Sequence, residues 1–219
     1  MVKYELIVAM NQDGIIGITD VSGNQRIPSW SSVIGSVDMR HFRNMTTSPE
    51  GHILVMGRKT FDSLPNGNPL PGRIHVVLTR TPSKYDERFK NNESVFFTDF
   101  EHVDYIVESL VYLNPAKRVF VCGGEEIYRA LFSRCERLHI TVIDFPIVLE
   151  EGETFSRFPC LEEIEDELRE IFSSDATQEH LFRIKYEVLP SVTSYVKSVN
   201  PIESAEKGGC VFKKYECFQ

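Results

Sequence analysis

The chain has 219 residues, 42% of them hydrophobic and 26% charged, which fits one globular domain with an appendage and excludes a wholly disordered chain. No apolar run approaches the ~18 residues of a membrane span, and 24 basic against 32 acidic residues leave a charge of −8 that repels polyphosphate backbones, so neither a membrane nor a nucleic acid is an expected partner. Five cysteines without a Cys-x-x-Cys pair and six histidines without metal-ligand spacing argue against a disulfide framework and a zinc site, and point to a reducing, cytoplasmic compartment.

In chain order, the start reads as a strand, Leu6–Met10, because the polar Asn11-Gln12-Asp13 break arrives too early for a secretory leader. Helical spacing over Ser36–Met45 puts Asp38, Phe42 and Met45 on one face, with Ser36 as a candidate N-cap. Short runs rich in β-branched residues predict strands at Ile53–Met56, Ile74–Thr79, Ser94–Phe97, Arg118–Cys122, Arg137–Ile143 and Leu181–Val188. Between them lie helical patterns at His102–Leu113 and Glu125–Phe132. This alternation predicts an α/β sheet, and the unbroken apolar runs predict strands covered on both faces. Turn chemistry falls at Asp13-Gly14, Ser22-Gly23-Asn24, the run from Pro65 to Gly72, and Glu151-Gly152. After Leu189-Pro190 the composition turns to Ser, Lys and Glu, so Pro190–Gln219 is expected to be a mobile or surface-laid extension of a domain spanning residues 1–189.

Three strand ends carry chemistry. Ile53–Met56 runs into Gly57-Arg58-Lys59-Thr60, where a glycine allows close approach of a ligand to backbone and two cations plus a hydroxyl share one turn; the chemistry suits a phosphate, the plain alternative being a solvated strand-to-helix turn. Arg118–Cys122 runs into Gly123-Gly124-Glu125-Glu126-Ile127-Tyr128, a second helix start with no GxGxxG spacing, whose two acids would have to point away from a phosphate. Leu78-Thr79-Arg80 adds a further cation at a neighbouring strand end, as an extra monoester phosphate would need. Open α/β sheets bind ligands at the carboxyl ends of their strands, so all three can face one crevice. Asp38 shares its face with apolar residues, which reads either as helix capping or as a carboxylate in an apolar pocket that protonates a nitrogenous ring. Arg73, after the rigid Pro69-Leu70-Pro71-Gly72, is a candidate carboxylate clamp or a surface cation.

The sequence of these segments resembles dihydrofolate reductase: Asp13-Gly14-Ile15-Ile16-Gly17, Ile27-Pro28-Ser29-Trp30, Asp38–Phe42, Met56–Phe61, Pro69–Arg73, Leu78–Arg80, and Gly123-Gly124 with Tyr128, spread over about residues 4–189. The resemblance implies a single-domain α/β fold, a twisted, mostly parallel eight-stranded sheet with four flanking helices, and a monomeric enzyme that reduces 7,8-dihydrofolate with NADPH and binds antifolates. It implies that Asp38 is the active-site acid, oriented by Thr141, with Trp30 anchoring a water above the pterin. Phe42 and Leu64 would sandwich the aminobenzoyl ring, Arg73 would hold the glutamate carboxylate, and Val8, Ala9, Cys122 and Tyr128 would line the same slot. For the cofactor, Ala9, Ile16 and Gly17 would flank the nicotinamide, the last two in a mobile loop. Gly57, Arg58, Lys59 and Thr60 would cradle the pyrophosphate with Gly123, Gly124, Glu125, Glu126 and Ile127. Leu78, Thr79 and Arg80, with Arg58, would meet the 2′-phosphate side, and Tyr128 would close the floor. The Gly-Gly peptide is usually cis in the family. Two features depart from it: Ser29 separates Pro28 from Trp30, and the loop Ile18–Arg26 is extended. The readings kept beside it are an inert folate- or nucleotide-binding module and a pyrimidine reductase of riboflavin biosynthesis.

Overall fold

Buried, β-branched runs form the sheet. The computed structural model describes residues 2–11, 13–28, 35–84, 86–143, 147–159, 204–207 and 210–216. Its main sheet has eight strands: β1 (Tyr4–Asn11), β4 (His52–Gly57), β5 (Arg73–Leu78), β6 (Val95–Thr98), β7 (Val119–Val121), β8 (Cys135–Ile143), β10 (Ser204–Lys207) and β11 (Cys210–Glu216), in the spatial order β10-β11-β8-β1-β7-β4-β5-β6. All pairs from β8 to β6 are parallel; β11 runs antiparallel to β8 and to β10.

Alternation along each strand splits the core in two. Leu6, Val8, Met10, Ile53, Val55 and Val121 face the side covered by α4 (Val103–Leu113) and α5 (Glu125–Leu131), where Val103, Val107, Leu110, Tyr128 and Leu131 pack. Ile7, Leu54, Met56, Val77 and Phe120 face the other side, covered by α1 (Gly35–Thr46) through Phe42 and Met45, and by Phe61 of α2 (Arg58–Asp62). A one-turn helix, α3 (Asp86–Phe89), adds Phe89 to the rings around Phe61. Two-sided cover is why β1, β4 and β7 read as continuous apolar runs.

The sequence reading needs two corrections here. α1 begins at Gly35, so Ser36 lies inside the helix and is not its N-cap. The supposed loop Ile18–Arg26 holds strands: β2 (Ile15–Thr19) and β3 (Gln25–Arg26) form a hairpin whose turn is tied by Asp20, which accepts from the N–H groups of Ser22 and Asn24. β2 also pairs with β9 (Thr154–Arg157), making a second, three-stranded sheet. Ile16 and Gly17 therefore sit in a paired strand instead of a free loop. Strands of two to five residues such as these are too short to show a clear period. Within Pro190–Gln219, β10 and β11 pair at the edge of the main sheet, with Phe212 opposite Ile143 and Glu216 opposite His139. The expected strand Leu181–Val188 lies outside the described residues, as do Ser29 and Trp30.

Candidate active site

The carboxyl ends of β7, β4 and β5 are neighbours, which brings the glycine turns together. Gly57 N–H donates to the Gly123 carbonyl at 2.7 Å. A Cβ on Gly57 would stand 3.1 Å from Ile127 Cγ1, and one on Gly124 would stand 3.2 Å from Thr60 Oγ1, so any larger side chain there would press its neighbour aside. The Gly123-Gly124 peptide is cis, and Gly123 has φ +99 with the Tyr128 ring over it, where a Cβ would lie 2.9 Å from Cε2. α2 and α5 start at Gly57 and Gly124, neither of which makes a side-chain cap bond, so the first N–H groups keep their donors.

Around this cradle, Lys59 is exposed, Thr60 half-buried, and Arg58 pairs with Asp62 at 2.8 Å. Leu78 closes β5 as a buried residue, Thr79 N–H donates to the Thr98 carbonyl, and Arg80 is exposed just beyond. Glu125 is engaged by Arg129 along the helix at 3.2 Å and Glu126 is exposed. Backbone donors, a hydroxyl and cations on three adjacent strand ends fit the phosphates of a dinucleotide.

On the face of β4 that bears Leu54 and Met56, α1 carries Asp38 in its first turn. Asp38 is 8% exposed while Met39, Arg40 and Arg43 face solvent, so the carboxylate belongs to the inward stripe with Phe42 and Met45. That stripe packs in one cluster with Leu64, Leu70 and Cys122. Tyr128 is buried with its hydroxyl donating to the Ile7 carbonyl at 2.8 Å; burial pushes its phenol well up, helped by Cys122 and Asp38 nearby. Burial likewise pushes the Cys122 thiol up, against the pull of Arg73, so it stands as a neutral, apolar wall.

Arg73 is 8% exposed. Its Nε donates to the Pro71 carbonyl at 3.1 Å and Nη1 to Thr46 Oγ1 at 3.4 Å, with no carboxylate partner among the described residues. Burial first, and then the charge of Arg43, lowers its pKa. A buried guanidinium held only by neutral oxygens gains from an incoming carboxylate. Behind these groups β1 and β8 run in register, Ala9 opposite Thr141 and Val8 opposite Ile140; Val8 and Thr141 are buried and Ala9 half-buried.

The structure thus packs Phe42, Leu64 and Cys122 in one cluster, with Asp38 on the α1 stripe and Arg73 bonded to Thr46 at the end of α1, while Tyr128 packs in the cluster on the other side of the sheet and its ring meets Gly123. Sequence reasoning missed Thr46, which steadies Arg73, and His75, which is fully buried and bonds the turn before Arg73. A histidine inside an otherwise apolar strand was the available signal.

The family model described as Dihydrofolate reductase matches residues 3–189. A Bifunctional dihydrofolate reductase-thymidylate synthase from Daucus carota is 35% identical over 167 residues, covering 73% of this chain and 29% of that protein. A Dihydrofolate reductase from Mycobacterium leprae (strain TN) is 31% identical over 157 residues, covering 71% of this chain and 81% of the relative. Dihydrofolate reductase type 9 of Escherichia coli is 32% identical over 142 residues, covering 64% and 70%. The chain spans less than a third of the bifunctional relative and more than two thirds of the two others. With the match running from the first strand through most of its length, this chain belongs to the dihydrofolate reductase family.

Proposed function

We infer that this chain reduces 7,8-dihydrofolate to 5,6,7,8-tetrahydrofolate with NADPH, as a cytoplasmic monomer open to antifolates, supplying one-carbon and thymidylate synthesis. One observation carries the reading: two buried, oppositely charged groups, Asp38 and Arg73, border the apolar stripe formed by Phe42, Leu64 and Cys122, and Arg73 has no carboxylate of its own among the described residues. A flat, nitrogenous ring joined through an aromatic linker to a carboxylate matches that layout.

In this reading Asp38 bonds the pterin N3 and 2-amino group and favours protonation at N5, and Thr141 orients it. Phe42 and Leu64 clasp the aminobenzoyl ring, Arg73 grips the glutamate α-carboxylate, and Val8, Ala9 and Cys122 exclude water beside the ring. Thr60 and the N–H groups after Gly57 and Gly124 hold the pyrophosphate of NADPH, Arg58, Thr79 and Arg80 its 2′-phosphate, and Ile16, Gly17 and Tyr128 enclose the nicotinamide. When bound, NADPH supplies the hydride received at C6. The protein contributes orientation, dryness and one placed acid.

The test is loss of NADPH absorbance on adding dihydrofolate. Turnover supports the reading; firm NADPH binding without turnover would show an inert module, and turnover only with the pyrimidine ketone of riboflavin synthesis would show the same-fold reductase instead.

A further inference from the structure

Between Asn68 and Gly72 the chain reads Pro69-Leu70-Pro71, and a proline has no N–H to donate. Leu70 therefore owns the only amide hydrogen of that tripeptide. It is spent on a side chain: Leu70 N–H donates to Nε2 of His75 at 3.1 Å. Pro71, next along, lends its carbonyl to Nε of Arg73. Two bonds thus lace the turn to β5, one from the ring of His75 and one from the guanidinium.

We propose that His75 is a positioning residue for the substrate carboxylate, acting by fixing the Pro69–Gly72 turn on which the approach of Arg73 depends. The proposal rests on the reading of Arg73 as the carboxylate clamp. His75 is held for the task. It is 0% exposed in mid-strand, its backbone N–H bonds the Ser94 carbonyl at 2.8 Å, and its ring meets Phe61 edge-on at 5.9 Å. Since Nε2 accepts, the ring is neutral and carries its proton on Nδ1, which has no partner among the described residues. Burial agrees, lowering its pKa to about 4. A buried ring with one nitrogen unsatisfied is a poor choice for packing alone, where leucine or phenylalanine would serve. Its other nitrogen supplies the acceptor that the proline-flanked amide lacks.

The experiment compares His75→Phe, which keeps a ring and removes the acceptor, with His75→Gln, whose amide oxygen reaches the Nε2 position. With dihydrofolate, His75→Phe is expected to raise KM about fivefold to tenfold, the scale of one lost hydrogen bond, with kcat and the NADPH KM within about twofold, and His75→Gln to restore most of it. With a dihydropterin lacking the glutamate, His75→Phe should leave KM unchanged. Equal KM effects on both substrates, or an unchanged dihydrofolate KM in a folded His75→Phe chain, would overturn the proposal. If His75→Phe does not fold, replacing Leu70 by its α-hydroxy analogue deletes the donor without touching the core. The same KM rise is then expected, and its absence counts against the proposal. Arg73→Leu run alongside separates the two claims: an unchanged KM there refutes the clamp itself, whereas a raised KM with a silent His75→Phe refutes only the role of His75.

Discussion

Arg80 stands exposed past the end of β5, beside a cradle whose other donors are backbone groups and Thr60. A guanidinium there matters only to a ligand with an extra phosphate. Arg80→Ala is expected to raise the NADPH KM about tenfold or more and leave the NADH KM nearly unchanged, one charge-assisted contact being worth about 1.5–3 kcal/mol. Equal changes for both cofactors would remove Arg80 from the 2′-phosphate site. Two of the buried groups shape the response to acid most. His75, lowered by burial and then by Arg73 from its ordinary 6.5 to about 4, binds a proton more readily unfolded than folded, so its share of stability is lost as pH falls from 6.5 to about 4. For Glu5, burial would raise the carboxyl, but hydrogen bonds from His139 and Arg118 with their charges outweigh it and leave it lowered from 4.5 to about 2. Its contribution is intact above 4.5 and disappears toward pH 2. Urea midpoints should therefore decline in two stages, and His75→Gln should flatten the first; a single decline below pH 4.5 in the unsubstituted chain would contradict this.

At the scale of elements, the turns depend on what glycine permits. Gly123→Ala would place a methyl within the Tyr128 ring contact on a backbone at φ +99, so we expect a loss of about 2–4 kcal/mol in stability and weaker NADPH binding together. A thermal shift assay with and without NADPH reads both, and an unchanged Tm would mean that the ring is free to move away. Phe61→Ala, by contrast, empties a site ringed by His75, Phe89 and Phe97 and should cost about 3–5 kcal/mol while leaving the glycine turns intact. The strand ends were legible because buried apolar runs stop abruptly at Gly57 and at Gly123-Gly124, and the inward stripe of α1 because Asp38, Phe42 and Met45 recur at helical spacing. The β2-β3-β9 sheet was not, since its strands are two to five residues of mixed polarity paired across a long sequence separation. Nor was the partner of Arg73, because contact between Thr46 and Arg73 is a matter of packing α1 against β5, which no local pattern encodes.

For the whole molecule, the edge of β8 is where the main sheet turns from parallel to antiparallel. Cys210–Glu216 occupies it as β11, whereas the expected strand Leu181–Val188, at the end of the family match, lies outside the described residues. A chain truncated after Leu189 loses the pairing of β11 with β8 and is expected to lose Tm by several degrees, and because Lys214 stands opposite Thr141 its turnover is expected to fall as well, while the glycine turns at the carboxyl ends of β7 and β4 keep their NADPH affinity. An unchanged Tm would show that β10 and β11 are dispensable to the sheet. The account as a whole turns on Asp38 as the acid that serves the pterin. The most direct measurement is the single-turnover rate of NADPH oxidation by dihydrofolate, followed against pH for the unsubstituted chain and for Asp38→Asn. A fall of about 10²–10⁴-fold near neutral pH in the variant, with NADPH affinity preserved, is the expected result; a variant as fast as the parent chain would contradict it.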